Sequence, residues 1–298
     1  MAGAKDLDLS NASEILKGVV IPPRPQLLLD IHDVYPNIKK IAELIETDQG
    51  VSAGVLKAIN SPLYGMRKKV VSIKRAVMLL GVTSVLNIVN GLLLRAALSK
   101  KLHSKEFKQY WNSSTDTAIV AASVTRQLGL GAPDRSYLLG LFHNCGIPLL
   151  MSKNENYLRV LGEAYSFQNN SITKYEDSVI GTNHSDVGFI VGRYWQLPKE
   201  ICRVIRDHHD IRRLAFKNTH KNEDVYTLLS VLKMSEHIIN LSSRLGEQSI
   251  DYEWELIKEP LLNYVGISEE RFEEVFANAL DDLSEYGVHG VKVVDDDS

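Results

Sequence analysis

The chain has 298 residues, of which 44% are hydrophobic and 24% charged, and its formal net charge is -3. This composition is that of an ordinary globular protein, and the length favours two cooperating subdomains over one compact core. The small negative charge gives no indication of a surface that wraps a phosphate backbone, so nucleic acid is not expected as a partner.

Cysteine usage and the amino terminus indicate the compartment. Cys145 and Cys202 are far apart and in no Cys-x-x-Cys arrangement, which argues against a disulfide framework or a thiolate zinc site. The first residues lack the apolar core of a secretory signal, so we expect a cytoplasmic protein. Residues 76–94 carry no charge, but they include Gly81 and several polar residues, which favours two buried helices over a membrane span.

In the first half, apolar residues recur every three to four positions. One stripe runs from Ile38 to Ile45, and the next from Val51 to Ile59, where Pro62 must end the helix. Ser72 is a plausible cap for a helix over 73–80, with Gly81 as its terminator and Thr83 starting the next helix. A lysine-rich elbow at 99–109 separates the two halves.

The second half continues with the same period. We predict helices over residues 107–128, 134–143, 147–151, 155–167, 174–180, 198–208, 225–245, 253–264 and 269–286. Thr173 with Glu176, and Asn183 with Asp186, have capping-box spacing. Strand alternation is confined to short pieces at 19–21 and 288–294. The fold class is therefore predicted to be all-α.

Several motifs occur in a consistent order. They are PPRPQLLL at 22–29, NSPLYG at 60–65, SIKRAVMLLG at 72–81, WNSSTDTA at 111–118, GLFHNCG at 140–146, HSDVGFIVGRYWQLPKEI at 184–201, and the pair His208-His209. Together they resemble the HDOD family, the HD-related output domain of bacterial signalling proteins. The resemblance implies a helical N-terminal subdomain, here residues 1–102, packed on a degenerate HD-like helical bundle, here residues 103–298.

The resemblance also implies a metal site that this chain alters. An HD-type phosphohydrolase uses an early histidine, a His-Asp pair and a later aspartate; the matching positions here are Ser113, His143-Asn144 and Glu236. Losing an imidazole and a carboxylate weakens both the affinity for a divalent cation and the activation of its bound water. A divalent transition metal could still be collected by the remaining imidazoles, those of His143, His184, His208 and His209.

Each of these residues also has a purely structural interpretation. His143 could be a buried histidine satisfied by backbone carbonyls, and His184 could simply meet solvent near a helix start. His208 and His209 are adjacent, so on a continuous helix their side chains point about 100° apart and only one would face the pocket. Asp207 and Asp210 could orient an imidazole, and an anionic ligand or phosphorylated partner could bind near Arg206.

These observations lead to two functional hypotheses. The first is a cytoplasmic, bacterial, non-catalytic signalling module that binds a protein partner, or a small anionic ligand, in the groove between the two halves. The alternative is a metal-dependent phosphohydrolase with an altered HD site. Basic clusters at 67–69 and around Arg203 are interleaved with acidic residues, so solvated surface explains them better than nucleic-acid binding.

Overall fold

The computed structural model describes residues 12–60, 64, 66, 68–99, 105–166, 171–210 and 223–285. These ranges contain helices and no strand, which confirms the all-α prediction for the part of the chain they cover. The helices are α1 Ala12–Leu16, α2 Gln26–Val34, α3 Ile38–Glu46, α4 Gln49–Ile59, α5 Ile73–Ser99, α6 Lys105–Leu128, α7 Pro133–Phe142, α8 Gly146–Lys153, α9 Tyr157–Ser166, α10 Ile172–Ile180, α11 His184–Tyr194, α12 Lys199–Asp207, α13 Glu223–Ile238, α14 Leu241–Gly246, α15 Tyr252–Val265 and α16 Glu269–Glu285.

Side-chain caps start several helices where the sequence indicated them. The Oδ1 atom of Asn183 accepts from the backbone N–H of Asp186 at 2.8 Å at the start of α11. The hydroxyl of Ser72 accepts from the N–H of Arg75 at 3.1 Å at the start of α5. Each cap satisfies one of the N–H groups that a helix leaves unpaired in its first turn.

Helix α5 is the segment that could be mistaken for a membrane span. It is the one helix of the described residues that is long and apolar enough to cross a bilayer, with a mean hydropathy of 2.0 over an 18-residue window within residues 73–98. Gly81, at φ 82° and ψ 162°, interrupts the helical backbone, so α5 is two helices joined at a kink. Val85, Val89 and Leu94 are fully buried in the core. These features are those of the two buried helices predicted from the sequence.

The two halves of the chain pack on each other through one continuous hydrophobic core. Helix α6 is central to the second half and packs against α7, α13 and α16, while α5 packs against α7. At that junction the amide of Asn87 donates to Asp134 at 2.8 Å in a buried hydrogen bond. The N-terminal segment crosses to the second half, because the indole N–H of Trp195 donates to the carbonyl of Pro22 at 3.2 Å.

The structure corrects two local predictions. Residues 19–21 form no strand, and residues 288–294, the other possible strand, lie outside the described residues. The helix predicted over 225–245 is broken: α13 ends at Ile238, and Asn240 adopts a left-handed φ of 55° before α14 begins. A left-handed residue cannot continue a right-handed helix, and asparagine tolerates this conformation better than most residues. The loop around Pro62 lies mostly outside the described residues.

Candidate functional site

Four histidines from the ends of three helices meet inside the second half. His143 is the C-cap of α7, His184 is the first residue of α11, His208 is the C-cap of α12 and His209 follows it. Their exposed fractions are 1%, 0%, 0% and 2%, respectively. Ring centroids are 5.6 Å apart for His143 and His208, 5.3 Å for His184 and His208, and 5.0 Å for His184 and His209. The four imidazoles selected from the sequence therefore form one buried histidine cluster.

Glu176 holds His184 in place, and sequence reasoning assigned it another role. One carboxylate oxygen of Glu176 lies 2.7 Å from Nδ1 of His184, and the other accepts a 2.5 Å hydrogen bond from the hydroxyl of Tyr157. The capping-box interpretation of Thr173 and Glu176 was wrong, because α10 begins at Ile172 and Glu176 turns inward. The sequence signal that could have indicated this contact was a glutamate eight residues before a candidate metal-ligating histidine, since such histidines are commonly oriented by a carboxylate.

The expectation that His208 and His209 could not both face the pocket was also wrong. Helix α12 ends at Asp207, so the 100° rotation between neighbours does not apply, and the two ring centroids are 4.1 Å apart. His208 donates from Nδ1 to the carbonyl of Ile205 at 2.7 Å, and Nδ1 of His209 lies 2.9 Å from a carboxylate oxygen of Glu253. Asp207 instead pairs with Arg206 at 2.9 Å.

The His-Asn pair and Glu236 lie beside the other histidines. Nδ1 of His143 bonds to the carbonyl of Gly140 at 2.7 Å, and its Nε2 lies 3.4 Å from Oε1 of Glu236. Neither of the latter two atoms has a well-aligned hydrogen bond among the described residues, although both are buried. Oδ1 of Asn144 lies 3.2 Å from Nε2 of His208. Glu236 was matched only loosely to the HD pattern, and the structure brings it to His143.

Lys233 places a buried cation in the same region, and sequence reasoning missed it. Its Nζ atom donates to Glu236 and to Glu253, both at 2.7 Å, and its side chain is 2% exposed. Burial lowers the pKa of Lys233, but the two carboxylates outweigh that effect and hold the pKa above its ordinary value. Its place three residues before Glu236 on α13 was the only local signal, and i, i+3 charge pairs are common on solvent-exposed helices too.

Burial also governs the protonation of the cluster. Burial lowers the pKa of His143 to about 3, although the hydrogen bond to the carbonyl of Gly140 acts to raise it. The pKa values of His208 and His209 are well below the ordinary histidine value, first because of burial and then because other imidazoles and Lys233 are close. Burial raises the pKa of Glu236 to about 7. Imidazoles that are neutral at pH 7 keep a nitrogen lone pair for a ligand.

Two of the predicted pocket residues make their contacts elsewhere. Ser113 is buried on α6, where its carbonyl accepts a 2.8 Å hydrogen bond from the hydroxyl of Thr117. Arg206 lies over the ring of Phe189, with 5.2 Å from its guanidinium carbon to the ring centroid, and bonds to Asp207. The guanidinium of Arg206 is therefore paired with the carboxylate of Asp207. An anion site near Arg206 stays a prediction.

A groove lies beside the end of α8. It has a volume of about 500 Å³ and is lined by the segment after α1, the end of α5 and the end of α8, namely Gly18, Val19, Val20, Pro22, Ala97, Leu98, Leu149, Ser152 and Lys153. Val20 is 67% exposed there. The groove is mostly apolar with one terminal cation, which is a surface chemistry suited to a protein segment.

Comparison with known proteins agrees with this architecture. The sequence profile of the HDOD domain matches residues 21–211, and the chain belongs to that family. A solved "HDOD domain protein with unknown function" from Geobacter sulfurreducens is 23% identical, with 93% of this chain and 95% of that chain covered and a TM-score of 0.65. The "Putative metal-dependent phosphohydrolase" from Shewanella amazonensis SB2B is 20% identical, with 92% and 95% covered and a TM-score of 0.65.

A curated relative is longer than this chain. A protein from Treponema pallidum (strain Nichols), named "Uncharacterized protein", is 27% identical over 258 residues, which are 84% of this chain and 47% of the relative. The match therefore spans about half of the relative's length. At these identities the solved structures establish the shared fold, and the chemistry has to be argued from the residues of this chain.

Proposed function

We propose that this chain is a non-catalytic regulatory module that transmits a signal by binding a protein partner. The observation that carries the proposal is the burial of the histidine cluster, whose four imidazoles are at most 2% exposed. A phosphoester has to place its phosphorus atom next to a metal-bound water, and imidazoles with almost no exposed surface offer it little contact. Small anionic ligands remain the second class of binding partner.

The charges around the cluster support the same conclusion. Glu236, the only acidic residue at a position of the HD ligand set, already bonds to the ammonium group of Lys233. Asn144 replaces the aspartate that would otherwise contribute a negative charge beside His143. A neutral amide and a carboxylate paired with lysine cannot lower the pKa of a metal-bound water as two free carboxylates would, so hydrolysis loses its nucleophile.

An activity assay tests the non-catalytic half of the proposal. Purified protein is incubated with p-nitrophenyl phosphate and bis-p-nitrophenyl phosphate in the presence of manganese, nickel or iron(II), beside the variant His143→Ala. We expect the two proteins to release p-nitrophenol at the same background rate. Turnover that requires metal and disappears in His143→Ala would overturn the proposal in favour of the phosphohydrolase alternative.

Site-specific photo-cross-linking in the producing cells tests the binding half. A photoreactive phenylalanine derivative is placed at Val20 in the groove, or at Val179 on α10, which is similarly apolar and 50% exposed. We expect a discrete adduct with one protein from position 20 and none from position 179. The separate variant Val20→Glu should no longer co-purify with the cross-linked protein, while its unfolding midpoint should stay unchanged. Equal labelling from both positions would contradict the groove as the docking surface.

A further inference from the structure

We infer that His184, His208 and His209 bind one transition-metal ion through their Nε2 atoms, as a site closed to substrate that links α11 to the end of α12. The ligand atoms that these three histidines offer lie within 4.8 Å of one another. The proposal goes beyond the proposed function, since a metal held in this way can order the module without catalysing a reaction.

The hydrogen bonds of the three rings fix which nitrogen is free. Each Nδ1 atom faces an acceptor: Glu176 for His184 at 2.7 Å, the carbonyl of Ile205 for His208 at 2.7 Å, and Glu253 for His209 at 2.9 Å. An Nδ1 that donates to a carboxylate or carbonyl carries the ring proton, so Nε2 is left with its lone pair. Metal-binding histidines are oriented by the same kind of outer hydrogen bond.

With those tautomers, the three Nε2 atoms direct lone pairs into the buried site without a donor to meet them. Nε2 of His184 lies 3.4 Å from Nε2 of His208, so two lone pairs face each other in a buried site. Nε2 of His209 is buried and has no hydrogen-bond partner among the described residues. Turning over the amide of Asn144 would give His208 a donor, but it would leave the nitrogens of His184 and His209 without one.

The spacing matches a small tetrahedral ion. Nitrogen ligands at about 2.0–2.1 Å from zinc, in tetrahedral geometry, are separated by about 3.3–3.4 Å. The His184–His208 separation has this value. The ligand atom of His209 lies within 4.8 Å of the other two, so it has to approach them by at most about 1.5 Å to complete the set. Three imidazoles favour zinc, cobalt, nickel or iron over magnesium or calcium, which prefer oxygen ligands.

The surrounding charges favour a dication as well. The ionisable side chains that lie against the cluster, or pair with those that do, are the carboxylates of Glu176, Glu236 and Glu253 and the ammonium of Lys233, which together have a formal charge of -2 when all are ionised. A buried excess of negative charge is costly, and a divalent cation would neutralise it. A single proton shared by His184 and His208 would relieve only one contact and half of this charge.

Metal loading of the full chain tests the site independently of any activity. The protein is stripped with chelator, loaded with cobalt(II), and examined by elemental analysis and visible absorption. We expect one equivalent of cobalt with the absorption of a tetrahedral nitrogen site. His184→Ala and His209→Ala should both lose it, while Glu176→Gln, which only weakens the orientation of His184, should raise the Kd about 10–100-fold.

Two controls locate the ion. His237→Gln removes a part-exposed histidine that stacks on Trp254, and it should bind cobalt as the unmodified chain does. His143→Ala should also retain the ion, since His143 is outside the three-histidine set. Retention in both His184→Ala and His209→Ala would overturn the assignment, and so would failure of the folded, unmodified chain to bind cobalt. A chain that binds no metal would contradict this site but not the proposed function. Phosphoester turnover would contradict the proposed function but not this site.

Discussion

The carboxylate of Glu176 lies 2.7 Å from Nδ1 of His184, and both side chains are completely buried. Its second oxygen accepts from Tyr157, so the carboxylate joins α9, α10 and α11 at one point. A buried carboxylate is stable only when donors replace the water it has lost. Glu176 therefore contributes to the fold and also fixes the orientation of the imidazole beside the histidine cluster.

Removing this carboxylate should cost much of the stability of the protein. We expect Glu176→Ala to lower the free energy of unfolding by about 3–5 kcal/mol, since it leaves His184 and Tyr157 without their buried partner. Glu176→Gln should cost less, because its amide oxygen still accepts one hydrogen bond. Urea unfolding measures both. Glu43→Gln, which removes an exposed pair with Lys39, is the control and should cost under about 1 kcal/mol; equal losses at the two sites would contradict this account.

The pairing of Lys233 with Glu236 and Glu253 predicts a non-additive pair of variants. Lys233→Met leaves two buried carboxylates unpaired and should destabilise the chain by about 3–5 kcal/mol. Adding Glu236→Gln removes one of those charges, so the double variant should be more stable than Lys233→Met alone. A double-mutant cycle from urea unfolding gives the coupling energy. Additive effects of the two substitutions would show that the ammonium does not interact with Glu236.

The depressed pKa values of the histidines predict a loss of stability in acid. His143 has a pKa of about 3 in the folded chain, and those of His208 and His209 are also lowered by burial, so below pH 6.5 the unfolded chain binds protons that the folded chain excludes. Their contribution is present above pH 6.5 and is lost as the pH falls. Glu236, raised to about 7, acts in the opposite direction, since its contribution is present below pH 4.5 and is lost as the pH rises through 7.

Three histidines with lowered pKa values outweigh one glutamate with a raised pKa. The urea midpoint of the metal-free protein should therefore decrease when the pH is lowered from 7.5 to 5.5. Each histidine adds at most about 1.4 kcal/mol per pH unit to this slope. His209→Gln should make the decline shallower, because it removes one of the groups whose pKa is lowered in the folded chain. A midpoint that rises on acidification would show that the raised pKa of Glu236 dominates instead.

Gly146 permits the close approach of α8 to α11 that places His184. A Cβ atom at Gly146 would lie 2.1 Å from the carbonyl oxygen of His184, and backbone cannot move aside as a flexible side chain can. We expect Gly146→Ala to cost at least about 3 kcal/mol. Gly162→Ala on α9 is the matched control, since nothing lies within 4 Å of its added Cβ, and it should stabilise the helix by about 0.5–1 kcal/mol. Thermal unfolding compares the two, and similar shifts would refute the packing argument.

The sequence by itself determined the helices and the main residues of the site. Apolar residues at a period of 3.6 define which face of each helix is buried, and Ser72, Gly81 and Asn183 act within one turn of themselves, so their effects can be predicted locally. The ordered motifs indicated the family, and the four histidines were selected from them. The division at residue 102 stays a prediction.

Only the tertiary structure decided which charged side chains face inward. Glu176, Lys233 and Glu253 carry charges that usually point to solvent, and their partners are 8, 20 and 44 residues away along the chain. Helical periodicity describes one helix at a time and contains no term for a partner on another helix. The sequence did not predict that His208 and His209 face the same way, for the same physical reason. Their orientation depends on where α12 ends, and α12 packs against other helices of the bundle.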